Sequence, residues 1–482
     1  MRTKQDVIQY IENNREEYIE TALHIWDNPE LCFKEYESSG TLKKLLKKHG
    51  FTIEDNVAGL ETAFIASYGS GEPVIGYMGE YDALPELSQK ADITTREEIV
   101  RGGAGHGCGH HVLGTAAAAA AIAHAMQLES TGNKGTVRFY GCPAEEGGGG
   151  KVLMADAGLF DDCAAAISWH ATDDNGIWSI NFYASQKMEI TFIGADDNGL
   201  AKRHTGKGKD VGGNGREAWE LFNMGIHILR QHLPKGISIQ TRTINLDDAD
   251  IYKTPSDVRI WCRVKGFSQK DVKRIVDRVV EIARGAAKMT ECHFKAHLSV
   301  GYSEMLPNRA LERIMYDQYE TVGTVHMTSE EWEYADRMHT AIEGDCEMPT
   351  FNLMRLLYEE QAEPIIEKVR GKSYNDILYP FREININKPG GTDICDVSWY
   401  TPTTQCVAAC YIKDTLGHSW QEVSQGRSSI CMKGMLVAAK VMALTGIELT
   451  DNPSALKAVR NEFETKRRGK EYEPMLPELR EG

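Results

Sequence analysis

The sequence predicts an α/β protein in which a three-layer domain is interrupted by an inserted ferredoxin-like α+β domain. In the first part of the chain, apolar strand-like runs alternate with helical stretches. That alternation is typical of a mixed, mostly parallel sheet covered by helices. From about residue 184 the order changes to β-α-β-β-α-β, the ferredoxin-like pattern. We therefore expect a first domain built from 1–183 and 303–482, with the inserted domain at 184–302.

The individual elements follow from the periodicity of apolar residues. An Ala-rich stretch at 114–128, which carries His124, predicts a buried helix. A membrane span is disfavoured, because no run in the chain approaches the roughly 18 uninterrupted apolar residues that a span needs. Ser268 and Asp271 have the residue types of a capping box at a helix start. The tail from about 453 is charge-rich, and we expect it to pack loosely. The predicted helices are 4–25, 36–49, 113–128, 149–156, 216–233 and 268–289, and the predicted strands are 61–69, 73–81, 135–143, 164–171, 188–194, 237–245, 256–266 and 292–302.

Composition excludes several classes of protein. The 482 residues suggest two or three folding units. A formal net charge of −16, without a basic stripe, disfavours binding to nucleic acid or to an anionic membrane. The polar N-terminus lacks the apolar core of a secretory signal. Eleven cysteines, an odd number scattered over a long chain, indicate reduced thiols and a cytoplasmic location.

The strongest chemical signal is Gly-His-Gly-Cys-Gly-His-His at 105–111. A Cys-x-His pair in a glycine-rich loop before a buried helix brings a thiolate and an imidazole close together, and both are good ligands for zinc. Cys108 and His110 are therefore candidate metal ligands. His106 and His111 could orient a ligand or lie at the surface. The alternative is a glycine-rich turn with incidental His and Cys residues.

A second signal is Cys-Pro-Ala-Glu-Glu followed by four glycines and a lysine, at 142–151. Adjacent carboxylates at a strand end point in different directions, so that one can bind metal while the other acts as general base. Glu145 and Glu146 are the candidates, and a solvated acidic loop is the alternative. A phosphate-binding loop is rejected, because the spacing is wrong and no Ser or Thr follows Lys151.

Three further residues are weaker signals when each is taken alone. His170 closes an apolar strand and can face a site there, although a single His in that position is more often structural. His418 lies in Leu-Gly-His-Ser-Trp-Gln, after a polar strand end. Asp82 follows another strand, where its carboxylate can accept the N–H of a ligating histidine.

Taken in order, these segments resemble the two-metal aminoacylases and carboxypeptidases of clan MH, and among them the amidohydrolases that use a cysteine in the site. The resembling segments are GEYDALPELSQ, HGCGHHVLGTAAAAA, PAEEGGGGK, SWHATDDNGIWSINF, GGTDICDVSW, PTTQCVAACY, GHSWQ and QGRSSICMKGM. The resemblance implies hydrolysis of an amide bond in an N-acyl or aminoacyl amino-acid conjugate, such as p-aminobenzoyl-glutamate or a dipeptide. It also implies a homodimer formed through the inserted domain, which would act as a lid.

The same resemblance implies roles for individual residues. Glu145 would be the general base toward a metal-bound water, and Asp82 would support the site. Two divalent ions, zinc or manganese, would be held by Cys108, His110, Glu146, His170 and His418. Asp393 and Asp396 match a strand-and-turn segment beside the pocket, where they are either structural or in contact with substrate.

The inserted domain departs from the family pattern. Members carry Gly-x-x-His-Ala after its first strand, and that His reaches the site of the other protomer, but residues 194–210 read GADDNGLAKRHTGKGKD. His204 could replace the missing His as a substrate-binding residue, or a different partner chain could supply it. The basic residues nearby either attract an acidic substrate or form a solvated loop: Lys202, Arg203, Lys207 and Lys209.

Two classes of function follow. The first is a metal-dependent amidase or dipeptidase; the second is a metal-binding subunit, weakly active or inactive, that scaffolds a partner hydrolase. The intact pair Glu145–Glu146 favours the enzyme, because a scaffold has no need of a base beside the ligand. A redox protein that uses Cys108 is disfavoured, because the chain lacks the Cys-x-x-Cys motif.

Overall fold

The structure is a computed structural model that describes residues 3–178, 181–194, 215–244, 257–342, 347–383, 387–388 and 390–481. It divides into two compact units. The first unit comprises Met1–Ile180, Leu306–Ile386 and Val397–Glu471, and the second comprises Asn181–Met305, Asn387–Asp396 and Tyr472–Gly482. The second unit thus takes in two short segments that the sequence analysis placed with the C-terminal part of the first domain. The predicted boundaries themselves stay a prediction.

The first unit is built on a seven-stranded mixed sheet, which confirms the predicted α/β class. The strands, in the order in which they lie side by side, are β1 (Thr52–Asp55), β2 (Phe64–Ser70), β4 (Gly135–Cys142), β3 (Val74–Glu80), β5 (Ala165–Thr172), β13 (Thr403–Ala409) and β6 (Gly176–Ile177). The four inner strands β4, β3, β5 and β13 run parallel. β2 and β6 pair antiparallel to the inner strands, and β1 pairs antiparallel to β2. The carboxyl ends of the four inner strands therefore lie at one edge, which is where open α/β sheets bind ligands.

Two long apolar helices, α4 (His110–Thr131) and α14 (Ser429–Asp451), pack on each other and on the inner strands. By length and composition either could cross a membrane, but 94% of each apolar window is buried inside the fold. Their alanines and glycines allow this close packing against the sheet. The other helices of this unit are α1 (Lys4–Asn13), α2 (Arg15–Asp27), α3 (Tyr36–Lys48), α5 (Gly150–Asp156), α8 (Arg309–Val322), α9 (Ser329–His339), α10 (Glu347–Tyr358), α11 (Ala362–Val369), α13 (Trp420–Gln425) and α15 (Pro453–Arg467).

The second unit has a five-stranded antiparallel sheet. Its strands, in spatial order, are β14 (Glu478–Glu481), β11 (His293–Tyr302), β8 (Ala184–Ile193), β10 (Val258–Gly266) and β9 (Ser238–Thr243). With helices α6 (Gly215–Gln231) and α7 (Gln269–Met289), the chain order β8-α6-β9-β10-α7-β11 is consistent with a ferredoxin-like unit. The short strands β7 (Asn181–Phe182) and β12 (Asn387–Lys388) pair separately, and α12 (Ile394–Val397) follows them.

Three local expectations need correction. The helix predicted over 4–25 breaks at Asn14, whose backbone leaves the helical conformation between α1 and α2. The tail beyond 453 does not pack loosely, because α15 buries Val459 and Phe463, and β14 adds a strand to β11. Asp393 lies in the turn directly before the short helix α12 and Asp396 lies within that helix, so this segment is a turn and a helix rather than a strand and a turn. At the start of α7, Ser268 accepts the backbone N–H of Asp271, as a capping residue does.

Candidate metal centre

The candidate site in the first unit is assembled at the carboxyl ends of the parallel strands. Asp82 follows β3, Glu145 and Glu146 follow β4, and His170 is among the last residues of β5. His418 lies in the segment between β13 and α13, and Cys108 and His110 lie at the amino end of α4. Strand ends and a helix start thus bring together side chains that are far apart in the chain.

Cys108, His110 and His170 form one group. Their donor atoms all lie within 4.8 Å of one another, and Sγ of Cys108 is 3.3 Å from Nε2 of His170. Gly109, between the first two, has φ of 71°, and a Cβ there would lie 2.8 Å from the Cβ of Ala171. Only glycine fits this position, which explains the Cys-Gly-His spacing.

Asp82 fixes the orientation of the His110 ring. Its Oδ1 lies 3.0 Å from Nδ1 of His110, so that Nε2 is the nitrogen directed away from Asp82. Burial raises the pKa of Asp82, but the hydrogen bond and charge of His110 outweigh it and lower the pKa to about 2. Burial by itself lowers the pKa of His110, but the nearby Cys108 and Asp82 have the larger effect, so that the pKa of His110 lies well above its ordinary value. The surroundings therefore favour positive charge at the imidazole, which is what a cation on Nε2 supplies.

Cys108, Glu146 and His418 form a second group that shares the cysteine. Their donor atoms also lie within 4.8 Å of one another, and Nε2 of His418 is 3.5 Å from Oε2 of Glu146. The backbone N–H of Glu146 donates to Oδ2 of Asp82 at 3.0 Å, so Asp82 fixes ligand candidates in both groups. Because Cys108 belongs to both groups, these side chains would together be able to hold two metal ions.

The site passes a test of fit for metal ions. Nε2 of His110 and Oε1 of Glu146 are buried and make no hydrogen bond within the described part of the chain. Buried polar atoms without hydrogen bonds are costly, and here they lie beside a cysteine sulfur and imidazoles, a donor set that fits a transition-metal ion. Burial lowers the pKa of His170 to about 4, so this ring is neutral and able to bind metal at neutral pH.

His418 is held through its backbone rather than through burial, since its side chain is 56% exposed. Its N–H donates both to the carbonyl of Gly107 at 2.7 Å and to Oε2 of Glu422 at 2.9 Å. The residue has φ of 58°, in the left-handed region, and these two acceptors oppose the strain. Sequence reasoning missed Glu422, although it lies three residues after the helix-capping Ser419, where a capping box places an acid.

Two other buried groups were missed. Glu35 accepts hydrogen bonds from the backbone N–H of Phe33 and Ala144 and from the hydroxyl of Thr62. Ala144 directly precedes Glu145, so Glu35 anchors the turn that carries the predicted base. Glu80, paired with the fully buried Lys151, lies beside His110. The sequence signals that could have found this pair are a carboxylate two residues before Asp82 and a lysine that ends a glycine run.

The remaining candidates are placed differently. His106 and His111 are buried, so neither lies at the surface, and their rings contact the carbonyls of Ile25 and Gly426. Asp393 belongs to the second unit and is fully buried. His204 and the basic residues 202–209 lie outside the described residues.

Comparison with known proteins identifies the family. Residues 76–422 match the model of peptidase family M20/M25/M40. The chain is 36% identical over 454 residues to a subunit of the p-aminobenzoyl-glutamate hydrolase of Escherichia coli (strain K12), and the match covers 94% of this chain and 93% of the other. This confirms the resemblance inferred from the sequence motifs, which are similar to those of the aminobenzoyl-glutamate utilization protein B.

Solved structures show the same fold. An aminobenzoyl-glutamate utilization protein from Klebsiella pneumoniae has a TM-score of 0.60 and 13% identity, covering 91% of this chain and 97% of that chain. A dinuclear metal-binding peptidase of the M20 family from Bacillus subtilis has a TM-score of 0.53 and 15% identity, covering 93% and 99%. The chain belongs to peptidase family M20/M25/M40 and is a hydrolase that acts on amide bonds.

Proposed function

We propose that the protein hydrolyses the amide bond of an N-acyl or aminoacyl amino acid, with p-aminobenzoyl-glutamate as the first substrate to test, at a centre of two zinc or manganese ions. One observation carries this proposal: two groups of metal-binding side chains, each within 4.8 Å, share Cys108. The proposed protein ligands are Cys108, His110, Glu146, His170 and His418.

When bound, the two ions lower the pKa of a shared water and polarise the carbonyl of the substrate. The protein's own residues prepare the site for them. Asp82 keeps the proton of His110 on Nδ1 and leaves Nε2 to face the centre. The hydrogen bond from the backbone of Glu146 to Asp82 holds this ligand in place directly after the proposed base, Glu145.

Glu145 is the proposed general base. It takes a proton from the attacking water and then delivers that proton to the nitrogen of the leaving amine. A donor atom of Glu145 lies within 4.8 Å of those of His110 and Glu80, which supports a position beside the ligands. An inactive metal-binding subunit would need Glu146 as a ligand but would not need a base, Glu145, on the adjacent residue.

The substrate class is supported by the relative that is 36% identical and is named for p-aminobenzoyl-glutamate. A glutamate leaving group carries two carboxylates, so cationic and hydrogen-bonding side chains should recognise it. We propose His204 as a substrate-binding residue that takes the place of the lid-domain His of the family. Asp393 stays a predicted substrate-binding residue, which as a carboxylate would accept from N–H groups of the substrate rather than bind its carboxylates. His204→Ala with unchanged hydrolysis would remove it from the site.

The decisive experiment compares the wild type with Glu145→Gln. Hydrolysis of p-aminobenzoyl-glutamate and of a dipeptide panel is measured after loading with Zn²⁺ or Mn²⁺, together with metal content. We expect Glu145→Gln to keep its metal and lose about 10²- to 10⁴-fold in kcat. Glu312→Gln, which changes a buried glutamate paired with Arg309, is the matched control and should keep its rate.

Two results would contradict the proposal. If Glu145→Gln hydrolysed at the wild-type rate, the base would be another group. If the wild type bound two ions but cleaved none of these substrates, the alternative of a metal-binding subunit that scaffolds a partner hydrolase would be favoured.

The assembly is the remaining part of the proposal. We infer a homodimer through the inserted domain. The 36% identical relative is named as one subunit of a hydrolase, which makes association with a different chain a second candidate. Light scattering of the purified chain separates a dimer from a monomer that awaits a partner. The described cysteines form no disulfide with one another, which supports a cytoplasmic location.

A further inference from the structure

Glu80 and Lys151 form a buried ion pair at the edge of the metal centre. Nζ of Lys151 is 2.6 Å from Oε1 of Glu80, and the lysine side chain is 0% exposed. The second oxygen of the same carboxylate, Oε2, is 3.2 Å from Nε2 of His110. One oxygen of Glu80 is therefore occupied by the lysine, and the other faces the histidine.

The nitrogen that Glu80 faces is the one predicted to bind metal. Asp82 holds Nδ1 of His110, so a metal on this ring must bind Nε2. Although Oε2 of Glu80 lies nearby, Nε2 makes no hydrogen bond in the described residues. A cation placed between this nitrogen and this oxygen would satisfy both.

A third carboxylate lies in the same place. Donor atoms of Glu80, His110 and Glu145 all lie within 4.8 Å of one another. Glu80 is thus positioned on the side of His110 that carries the predicted base. This group shares His110 with the Cys108–His110–His170 group, so a single ion at His110 could reach ligands from both.

Lys151 is placed at the amino end of α5, directly after the glycine run. The run turns tightly, because a Cβ on Gly150 would lie 2.0 Å from the carbonyl oxygen of Pro143. The same turn carries Glu145 and Glu146. A buried ion pair contributes little net stability, since desolvation offsets most of the attraction, so its position beside a metal centre calls for another explanation.

We propose that Glu80 is a further ligand of the metal ion bound at His110, and that Lys151 is a positioning residue that holds its carboxylate toward that ion. The proposal rests on the proposed two-metal centre and adds to its ligands. Hydrogen-bonded partners of ligating carboxylates fix their orientation, and their loss usually weakens metal binding. Lys151 would have this role for Glu80.

The test measures the affinity for Zn²⁺ by competition with a chromophoric chelator. We expect Glu80→Gln to bind one of the two ions about 10- to 100-fold more weakly. In that variant the amide oxygen can still accept from Lys151, which leaves the NH₂ group, a poor metal ligand, facing His110. We expect Lys151→Met to weaken the same ion by a similar factor.

The double variant shows whether the lysine acts through the carboxylate. If it does, Glu80→Gln with Lys151→Met binds no more weakly than Glu80→Gln alone. Lys440→Met is the matched control, because Lys440 is also a buried lysine paired with a glutamate, Glu12, outside the metal centre. It should lower thermal stability without changing the affinity for Zn²⁺.

Specific results would overturn the proposal. Wild-type affinity in Glu80→Gln removes Glu80 from the ligand set, and an undiminished effect of Lys151→Met on the Glu80→Gln background shows that the lysine acts independently. Should Lys151→Met fail to fold, Glu80→Asp, which keeps the charge but retracts the carboxylate, must still weaken Zn²⁺ binding. Absence of Zn²⁺ binding in the wild type would refute the two-metal centre itself.

Discussion

Two of the buried histidines of helix α4, His110 and His124, lie in very different surroundings. At its amino end, His110 has Asp82 on Nδ1, while Nε2 makes no hydrogen bond among the described residues. Deeper in the helix, His124 has the hydroxyl of Tyr77 at 2.9 Å from Nδ1 and the hydroxyl of Thr450 at 3.1 Å from Nε2. Both rings are fully buried.

The difference separates a functional from a structural histidine. His124 has a partner for each nitrogen and needs nothing else, so it is part of the core. His110 has one nitrogen that is hydrogen-bonded, and its other nitrogen lies among the sulfur of Cys108, a second imidazole and carboxylates, which is a donor set that suits a metal ion. An unsatisfied nitrogen that lies among other metal-binding side chains, rather than burial or a lost hydrogen bond alone, distinguishes His110 from His124.

Among the variants that test this comparison, the largest effect is expected at Asp82, the residue that creates the asymmetry. In Asp82→Asn, one side of the amide carries hydrogens, and either His110 Nδ1–H or the Glu146 N–H then faces a donor. We expect the affinity for Zn²⁺ and kcat each to fall about 10- to 100-fold. Chelator competition and initial rates measure the two quantities.

Asp451→Asn is the matched control for that variant. Asp451 accepts hydrogen bonds from Gln127 and Asn133 near the carboxyl end of α4, far along the helix from His110. Its replacement should change neither metal affinity nor rate. Equal loss of metal in both variants would mean that Asp82 acts by general destabilisation, and the comparison would fail.

A smaller effect is expected from replacing Glu35. This residue is fully buried and acts on the site through its hydrogen bond from the N–H of Ala144, the residue before Glu145. Burial raises the pKa of Glu35 to about 7, despite the three donors that favour the carboxylate. Glu35→Ala leaves the N–H of Ala144 without its acceptor and loosens the turn before Glu145. We expect kcat to fall about 10-fold with little change in KM, because the base loses its alignment.

Glu35→Gln provides the rescue. Its amide oxygen can accept from Phe33 and Ala144, while its NH₂ group donates to the hydroxyl of Thr62, so kcat should stay near that of the wild type. If Glu35→Ala lowered only the melting temperature and left kcat unchanged, Glu35 would be a core residue like His124.

The sequence was sufficient for the α/β class and for most element positions, because apolar periodicity and glycine-rich turns determine them locally. It also selected Cys108, His110 and His170, which the structure brings together. The sequence did not reveal Glu35, Glu80, Lys151 or Glu422, because their importance comes from contacts between segments far apart in the chain. Glu80 before Asp82 and Lys151 after the glycine run are local signals, but no local pattern shows that the two residues pair. Composition alone misjudged the tail, where Val459 and Phe463 are buried.

His124→Gln should not change the activity. Its effect on stability tests whether His124 is a structural histidine. Burial lowers the pKa of His124 to about 3 from an ordinary value of 6.5. Below pH 6.5 the unfolded chain therefore binds a proton at this residue, whereas the folded chain binds it only near pH 3. Stability from His124 is fully present above pH 6.5 and is lost as the pH falls toward 3.

Urea unfolding at several pH values between 3 and 6.5 measures this loss. The slope of the free energy of unfolding against pH should differ between the wild type and His124→Gln by up to about 1.4 kcal/mol per pH unit. Equal slopes would mean that the ring is already charged within the core, and Tyr77 and Thr450 would then not be the complete set of partners that makes it structural.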